Sequence, residues 1–342
     1  MTESLQNKRL ATPDLLKGIA ILFMIQVHLM ELFARPVIYG SWLGKISLFL
    51  GGTPAAPIFM MIMGYFVAKA NLSSMKLIRR GVQLIIWGIL LNIALNFHIL
   101  IRIIYDHWNF DLWQFIFGVD ILPLAGLSLI FIALLPKVVK EKWYLLLLII
   151  IVIFGFGTLI NGENISSPWN YLSSFIIGGT TWSYFPVLPW LAYVLSGYAF
   201  LKLEGFFLTW SWHQYYKIFL IVGFIIFLSL SWNYASSITH NLEDYYHHGI
   251  DFYIWSVVFS LFWAGFIFLY AQDLSNTLFG KYLIFTGKNI TSIYVFQWLI
   301  IGNMATTWYK QQDWMVIIVS FIFIIIVSSA LSWTWNYLKH KI

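Results

Sequence analysis

The stretch Trp314-Met-Val-Ile-Ile-Val-Ser-Phe-Ile-Phe-Ile-Ile-Ile-Val-Ser-Ser-Ala-Leu-Ser-Trp-Thr-Trp-Asn-Tyr-Leu338 contains no Asp, Glu, Lys, Arg or His. A helix that crosses the hydrocarbon core of a bilayer needs about 20 mostly apolar residues. This run meets that length, and comparable runs recur along the chain. Of 342 residues, 60% are hydrophobic, 20% aromatic and only 10% charged. The mean hydropathy is +0.79. A soluble domain carries roughly 25% charged residues because its surface must face water. Twenty Lys+Arg and fourteen Asp+Glu cannot clothe a protein of 39.8 kDa in water. Lipid must be the solvent for most of this surface.

The chain is therefore predicted to be all-α, a polytopic integral membrane bundle of about ten transmembrane helices forming one domain over residues 1–342. The predicted spans are 14–34, 46–70, 79–101, 112–135, 143–160, 183–202, 214–233, 252–271, 282–303 and 314–338. Thr12 is expected to cap the first helix, with Pro13 in its first turn and Asp14 on its positive end. The first apolar run follows Lys8, Arg9 and Lys17 with no small-residue cleavage pattern, so it reads as a helix rather than a cleaved signal. Residues 205–216 are aromatic with few charges and suit the interface. Residues 161–182 are polar and suit an outer loop.

The net charge of +6 resolves into topology once it is mapped onto the spans. With ten crossings, Lys69, Lys76, Arg79, Arg80, Lys137, Lys140, Lys142, Lys202, Lys217, Lys281 and Lys339 fall on the side that holds both termini. Only Arg35, Lys45, Arg102 and Lys310 fall opposite. Short cytoplasmic loops retain Lys and Arg, so both termini are expected in the cytoplasm. A bacterial inner membrane is the expected location. The chain has no Cys, which excludes disulfides, thiolate nucleophiles and Cys-ligated metal. It also lacks a Gly-rich phosphate loop, a nucleophile elbow and a basic aromatic groove for nucleic acid.

Polar groups inside apolar spans cost about 2.5–3.5 kcal/mol each on the insertion scale, so they mark candidate sites. His28 and Glu31 are three residues apart and share a face of the first helix. His28 stands roughly 21 Å along that helix from Asp14, at 1.5 Å per residue. A carboxylate that orients an imidazole makes a general base, and packed helices also use such pairs structurally. Gly51-Gly-Thr-Pro-Ala-Ala-Pro57 predicts a broken or kinked second span. Asp120, between Gly118 and Pro123, is a candidate to orient a His or bind substrate; an ion pair with Arg102 is the plainer reading. Lys288, Asn289 and Gln297 are candidates near the ninth span, though Lys288 also suits the interface. Arg79 and Arg80 can fork onto phosphates, or simply obey topology. His247, His248 and Asp251 form a polar outer stretch that suits an acceptor-binding wall or a solvated loop. It has poor spacing for a metal.

Several of these stretches resemble a known family. Thr12-Pro-Asp-Leu-Leu-Lys-Gly-Ile-Ala-Ile-Leu-Phe-Met-Ile-Gln-Val-His28 is similar to the opening of the transmembrane acyltransferases. Ala55-Ala-Pro-Ile-Phe59 through Gly64, Asp120-Ile-Leu-Pro-Leu-Ala-Gly-Leu-Ser128, Phe185-Pro-Val-Leu-Pro-Trp190 and Gly287-Lys-Asn-Ile-Thr-Ser-Ile-Tyr294 with Gln297-Trp298 follow in order. The nearest branch resembles the DUF1624 group related to heparan-alpha-glucosaminide N-acetyltransferase, itself related to acyltransferase-3.

The resemblance implies transfer of an acyl group, usually acetyl, from cytosolic acyl-coenzyme A to an amine or hydroxyl of an extracytoplasmic sugar or glycan. It places His28 where the acyltransferase-3 branch has its catalytic candidate. The first outer loop, Arg35 to Lys45, holds no His. His28, with Glu31 or Asp120 behind it, is then the expected catalytic base. Arg79, Arg80, Lys288, Asn289 and Gln297 are expected on the acyl-coenzyme A side, and His247, His248 and Asp251 on the acceptor side. No permanently bound cofactor, no metal and no nucleic acid are expected; acetyl-coenzyme A is a co-substrate, the bilayer is the medium, and a homodimer is compatible. A transporter or flippase for an anionic or lipid-linked substrate is the rival reading, since broken helices and buried charges suit transporters too.

Overall fold

A computed structural model of the chain describes residues 3–159, 167–210 and 215–339. Among these residues every regular element is helical. The chain opens with α1 (Glu3–Phe33), α2 (Pro36–Tyr39), α3 (Trp42–Gly52), α4 (Ala56–Ala70), α5 (Ser74–Leu95) and α6 (Phe97–Tyr105). Next come α7 (Leu112–Ile116), α8 (Ile121–Leu134), α9 (Lys137–Glu141), α10 (Trp143–Leu159), α11 (Trp169–Ser173) and α12 (Val187–Trp210). The last six are α13 (Tyr216–His240), α14 (Leu242–Tyr246), α15 (Ile250–Asn276), α16 (Leu278–Lys288), α17 (Ile290–Trp308) and α18 (Trp314–Lys339).

Among the described residues, six stretches are long and apolar enough to cross a membrane: Ala11–Phe33, Trp42–Ala70, Ser74–Leu95, Tyr216–His240, Ile250–Asn276 and Trp314–Lys339. The pattern along α18 shows why water is the wrong solvent. Its buried face holds Ser320, Ile324, Ser328 and Ser332, while Met315, Ile318, Val319, Ile322, Phe323 and Ile326 are exposed. Small polar groups inside and bulky apolar groups outside invert the soluble rule. The inner serines return their hydroxyls to protein partners: Ser292 Oγ meets Ser332 Oγ at 2.6 Å, and Tyr282 Oη meets Ser329 Oγ at 2.9 Å. This chain is an integral membrane protein.

The chain divides into two compact units, one formed by Met1–Phe59, Lys217–His240 and Val258–Ile342, the other by Met60–Tyr216 and Asn241–Val257. In the first, α1 crosses its neighbours with backbone pressed against backbone. A Cβ added at Gly18 would lie 2.0 Å from the Leu283 carbonyl oxygen, and one at Gly287 would lie 1.9 Å from that of Asp14. Only glycine fits at these crossings, the membrane packing device of small residues. On the α3 side a Cβ added at Gly51 would instead meet the Val27 side chain, 2.0 Å from its Cβ. Gln26 adds a polar clasp, donating to the Ser47 carbonyl at 2.7 Å and accepting from the Ser47 hydroxyl. In the second unit, a Cβ at Gly64 of α4 would meet the Val194 carbonyl oxygen at 1.9 Å. One at Gly197 of α12 would meet that of Met61 at 1.7 Å.

Several predicted boundaries differ from the structure. The helix α1 begins at Glu3, so Pro13 stands inside it and Thr12 is not its cap. Pro13 forfeits only its own donor, and the turn before it holds without that bond. Asp14 is paired with Lys17 one turn on, at 2.7 Å. The Gly/Pro-rich break is present, α3 ending at Gly52 and α4 starting at Ala56. The predicted single span 282–303 is two helices, α16 and α17, meeting at Asn289. Residues 79–101 likewise divide at Asn96, and 112–135 divide between α7 and α8. Part of the predicted interfacial stretch, Gly205–Trp210, continues α12 instead. Residues 160–166 and 211–214, on which the rest of two loop expectations falls, lie outside the described residues.

Candidate active site around His28

Helix α1 carries His28 against α17, whose buried face repeats every four residues as Ile293, Gln297 and Ile301. Gln297 is fully buried, while His28 is half-buried. His28 Nδ1 lies 3.3 Å from Gln297 Oε1. A carboxamide oxygen only accepts, so Nδ1 carries the proton in this pair and Nε2 presents a free lone pair. On the other side the Trp298 ring lies 4.1 Å from the His28 ring, tilted by 32°. The imidazole is thus fixed by a hydrogen bond and an aromatic neighbour, with its basic nitrogen unspent.

Glu31 was expected to orient His28, and the hydrogen bond to the ring comes from Gln297 instead. Sharing a helix face brings two side chains near each other, yet Gln297 on the facing helix supplies the partner. Glu31 is half-buried and has no ion pair or hydrogen bond among the described residues. Its charge is felt at Tyr39, whose hydroxyl is pushed up to about 12 by burial, with Glu31 and Tyr309 adding to it. Tyr39 donates to the His240 carbonyl at 3.2 Å, and the two rings lie 5.1 Å apart. The C-terminal end of α1 is held in place by the turn before α18. Lys310 N donates to Leu32 O at 2.8 Å, Gln312 N to Phe33 O at 2.7 Å, and Arg35 pairs with Asp313 at 3.1 Å.

The other residues singled out in the sequence are placed as follows. Asn289 is the joint between α16 and α17: its Nδ2 donates to Phe285 O at 2.9 Å and its Oδ1 accepts from Asn336 at 2.5 Å. Lys288 beside it is exposed. Arg79 and Arg80 are exposed on α5, in the second unit. Asp120 caps α8, its Oδ1 accepting from Ile121 N at 2.7 Å. Arg102 is paired with Asp106 at 2.6 Å, four residues on, rather than with Asp120.

His248 is buried, and both of its ring nitrogens are used. Its Nδ1 meets Tyr245 O at 2.7 Å, and its Nε2 meets Tyr193 Oη at 2.9 Å. A carbonyl accepts, so Nδ1 donates and Nε2 accepts the Tyr193 hydroxyl. The ring is neutral in this arrangement, pushed down to about 4 chiefly by burial. It acts as a rivet in an aromatic cluster with Trp190 and Phe252. His247 is half-buried against Gly178, whose φ of +81° and missing side chain leave it room. Burial also lowers the His247 imidazole. Asp251 is exposed in the first turn of α15. Among the described residues, no group of three His, Asp or Glu could hold a metal ion.

Residues 10–333 match the family described as acyltransferase domain, acyltransferase-3. The chain belongs to the acyltransferase-3 family. No curated protein and no solved structure matches it. The family covers nearly the whole chain and contains every candidate residue named above, so His28 and Gln297 sit inside a membrane acyltransferase. Sequence reading passed over two of this acyltransferase's contacts, the Trp298 ring on His28 and the Tyr193–His248 bond. Both join residues far apart in sequence, His28 with Trp298 across two helices and Tyr193 of α12 with His248 in the link before α15, which no local spacing reveals.

Proposed function

We propose that this acyltransferase moves an acyl group, acetyl in the simplest case, from cytosolic acyl-coenzyme A to an amine or hydroxyl of an extracytoplasmic sugar or glycan. His28 is the general base. The observation that carries this reading is the His28–Gln297 pair, which commits Nδ1 and leaves Nε2 to take a proton. The acceptor N–H or O–H gives its proton to Nε2 while its heteroatom bonds to the thioester carbonyl carbon. The C–S bond then breaks, and the thiolate of coenzyme A takes the proton back from His28. Such positioned acid–base catalysis contributes about 10²–10⁴-fold.

The finer assignments follow from this reading. The chain crosses a bacterial inner membrane ten times as one acyltransferase domain, with both termini in the cytoplasm. The family match over residues 10–333 supports the single domain. Arg79, Arg80 and Lys288, all exposed, are free to meet the phosphates of the donor. His247 and Asp251 line the acceptor side, and His248 supports them from within. Asp120 shapes the start of α8. The reading does not depend on the narrower DUF1624 branch.

Purified protein is incubated with labelled acetyl-coenzyme A and candidate amino sugars and glycans. Transfer by the wild type and its loss in His28→Ala support the proposal. Full activity in His28→Ala removes the proposed base. Substrate flux across vesicles without acyl turnover favours a transporter instead.

A further inference from the structure

Resting on the reading above, we propose that the Gln297 amide N–H and the Trp298 indole N–H are the donors that stabilise the oxyanion formed during acyl transfer. Both residues touch the His28 ring, Gln297 by its hydrogen bond at 3.3 Å and Trp298 by ring contact at 4.1 Å. In each, a buried donor is left over. Gln297 Nε2 and Trp298 Nε1 have no hydrogen-bond partner among the described residues. Gln297 is wholly buried, so water does not reach its amide.

A buried N–H without an acceptor is unfavourable, and it is more so at bilayer depth. Gln297 cannot relieve the cost by flipping. Its Oε1 faces Nδ1 of His28 at 3.3 Å, and with Nδ1 protonated, as the proposed base requires, a flip would set an N–H against that N–H. Two adjacent orphan donors beside one base are what acyl transfer calls for. When the acceptor heteroatom bonds to the acyl carbon, the π pair of the carbonyl moves onto its oxygen. That oxygen becomes the acceptor the two N–H groups lack. When the carbonyl re-forms and the thiolate leaves, the charge departs with it. Donors fixed in advance in a dry site stabilise such charge without reorganising.

The decisive variant is Trp298→Phe, which keeps a ring against His28 and removes the N–H. Acetyl transfer from acetyl-coenzyme A is measured with glucosamine and with hydroxylamine as acceptors. The expected kcat falls about 10²-fold, KM for acetyl-coenzyme A stays within about twofold of wild type on a uniform-binding criterion, and the pH profile does not shift. The thermal midpoint in detergent is not lowered, since an unpaired donor has been taken away. Gln297→Glu, which keeps an acceptor for His28 and loses the donor, is expected to lower kcat as well. Unchanged kcat in Trp298→Phe overturns the inference, and so does a midpoint lowered by several degrees, which would show the N–H already paired in the fold. Activity retained by His28→Ala, by contrast, removes the general-base reading on which the inference rests. A wild type that turns over acetyl-coenzyme A with neither acceptor overturns both.

Discussion

His28 Nδ1 and Gln297 Oε1 lie 3.3 Å apart although 269 positions separate them in the chain. The contact selects one tautomer of the imidazole and so decides which nitrogen is basic. Gln297→Leu removes that choice without altering the helix. It is expected to lower kcat at least about tenfold through the lost base orientation, with little change in KM. Steady-state kinetics with acetyl-coenzyme A check this.

Glu31 is a half-buried carboxyl one turn C-terminal to His28, and among the described residues no cation answers it. On the proposed reading, an acceptor bearing an ammonium or several hydroxyls would supply the missing partner. Glu31→Gln is therefore expected to raise the KM for glucosamine about tenfold, equivalent to roughly 1.4 kcal/mol, while the KM for acetyl-coenzyme A is unchanged. A kcat loss with unchanged acceptor KM would place Glu31 in the chemistry instead.

The neutral His248 rivet makes stability depend on pH. Burial holds its imidazole down at about 4, whereas an unfolded His titrates near 6.5. The unfolded chain thus gains protons first on acidification. Its contribution is complete above about pH 6.5 and is lost as pH falls toward 4. His247, also lowered by burial, acts in the same direction. Thermal midpoints in detergent are expected to drop between about pH 7 and about pH 5. His248→Phe is expected to flatten that slope while lowering the midpoint at neutral pH, because Tyr193 and Tyr245 lose their partner.

Gly18→Ala and Gly287→Ala each place a methyl about 2 Å from a carbonyl oxygen of the facing helix. The crossing of α1 and α16 must then open. Overpacking of this kind costs about 1–3 kcal/mol, read as a midpoint lowered by several degrees. Gly155→Ala, with nothing within 4 Å of the added carbon, is the control expected to have no such effect.

The absence of Cys makes every introduced thiol a unique reporter of sidedness. In intact cells a membrane-impermeant maleimide is expected to label Asp251→Cys and not Arg79→Cys. In inside-out vesicles the labelling reverses. The opposite pattern inverts the proposed orientation.

The membrane class was legible because hydrocarbon imposes length and apolarity on every crossing segment, and α18 displays both. The break between Gly52 and Ala56 was legible too, since Pro and Gly disrupt a helix for local reasons. The division at Asn289 was not, because Lys288 and Asn289 also suit the flank of an uninterrupted span. In the site, His28 could be found from its cost in lipid. Its partner could not. Glu31 was the nearest acid by helical spacing, whereas Gln297 reaches the ring only through the packing of α17 on α1. Asp120 shows the same limit from the other side: a short-range cap at the start of α8 satisfies a carboxylate that looked available for long-range work.

At Gly18 and Gly287 the first helix is gripped through main chain rather than through long side chains, which swing between rotamers. Such a strut has little slack. On the proposed reading, the basic nitrogen it carries is the stationary point of the reaction, and the donor and acceptor molecules would have to travel to meet it from opposite faces of the membrane.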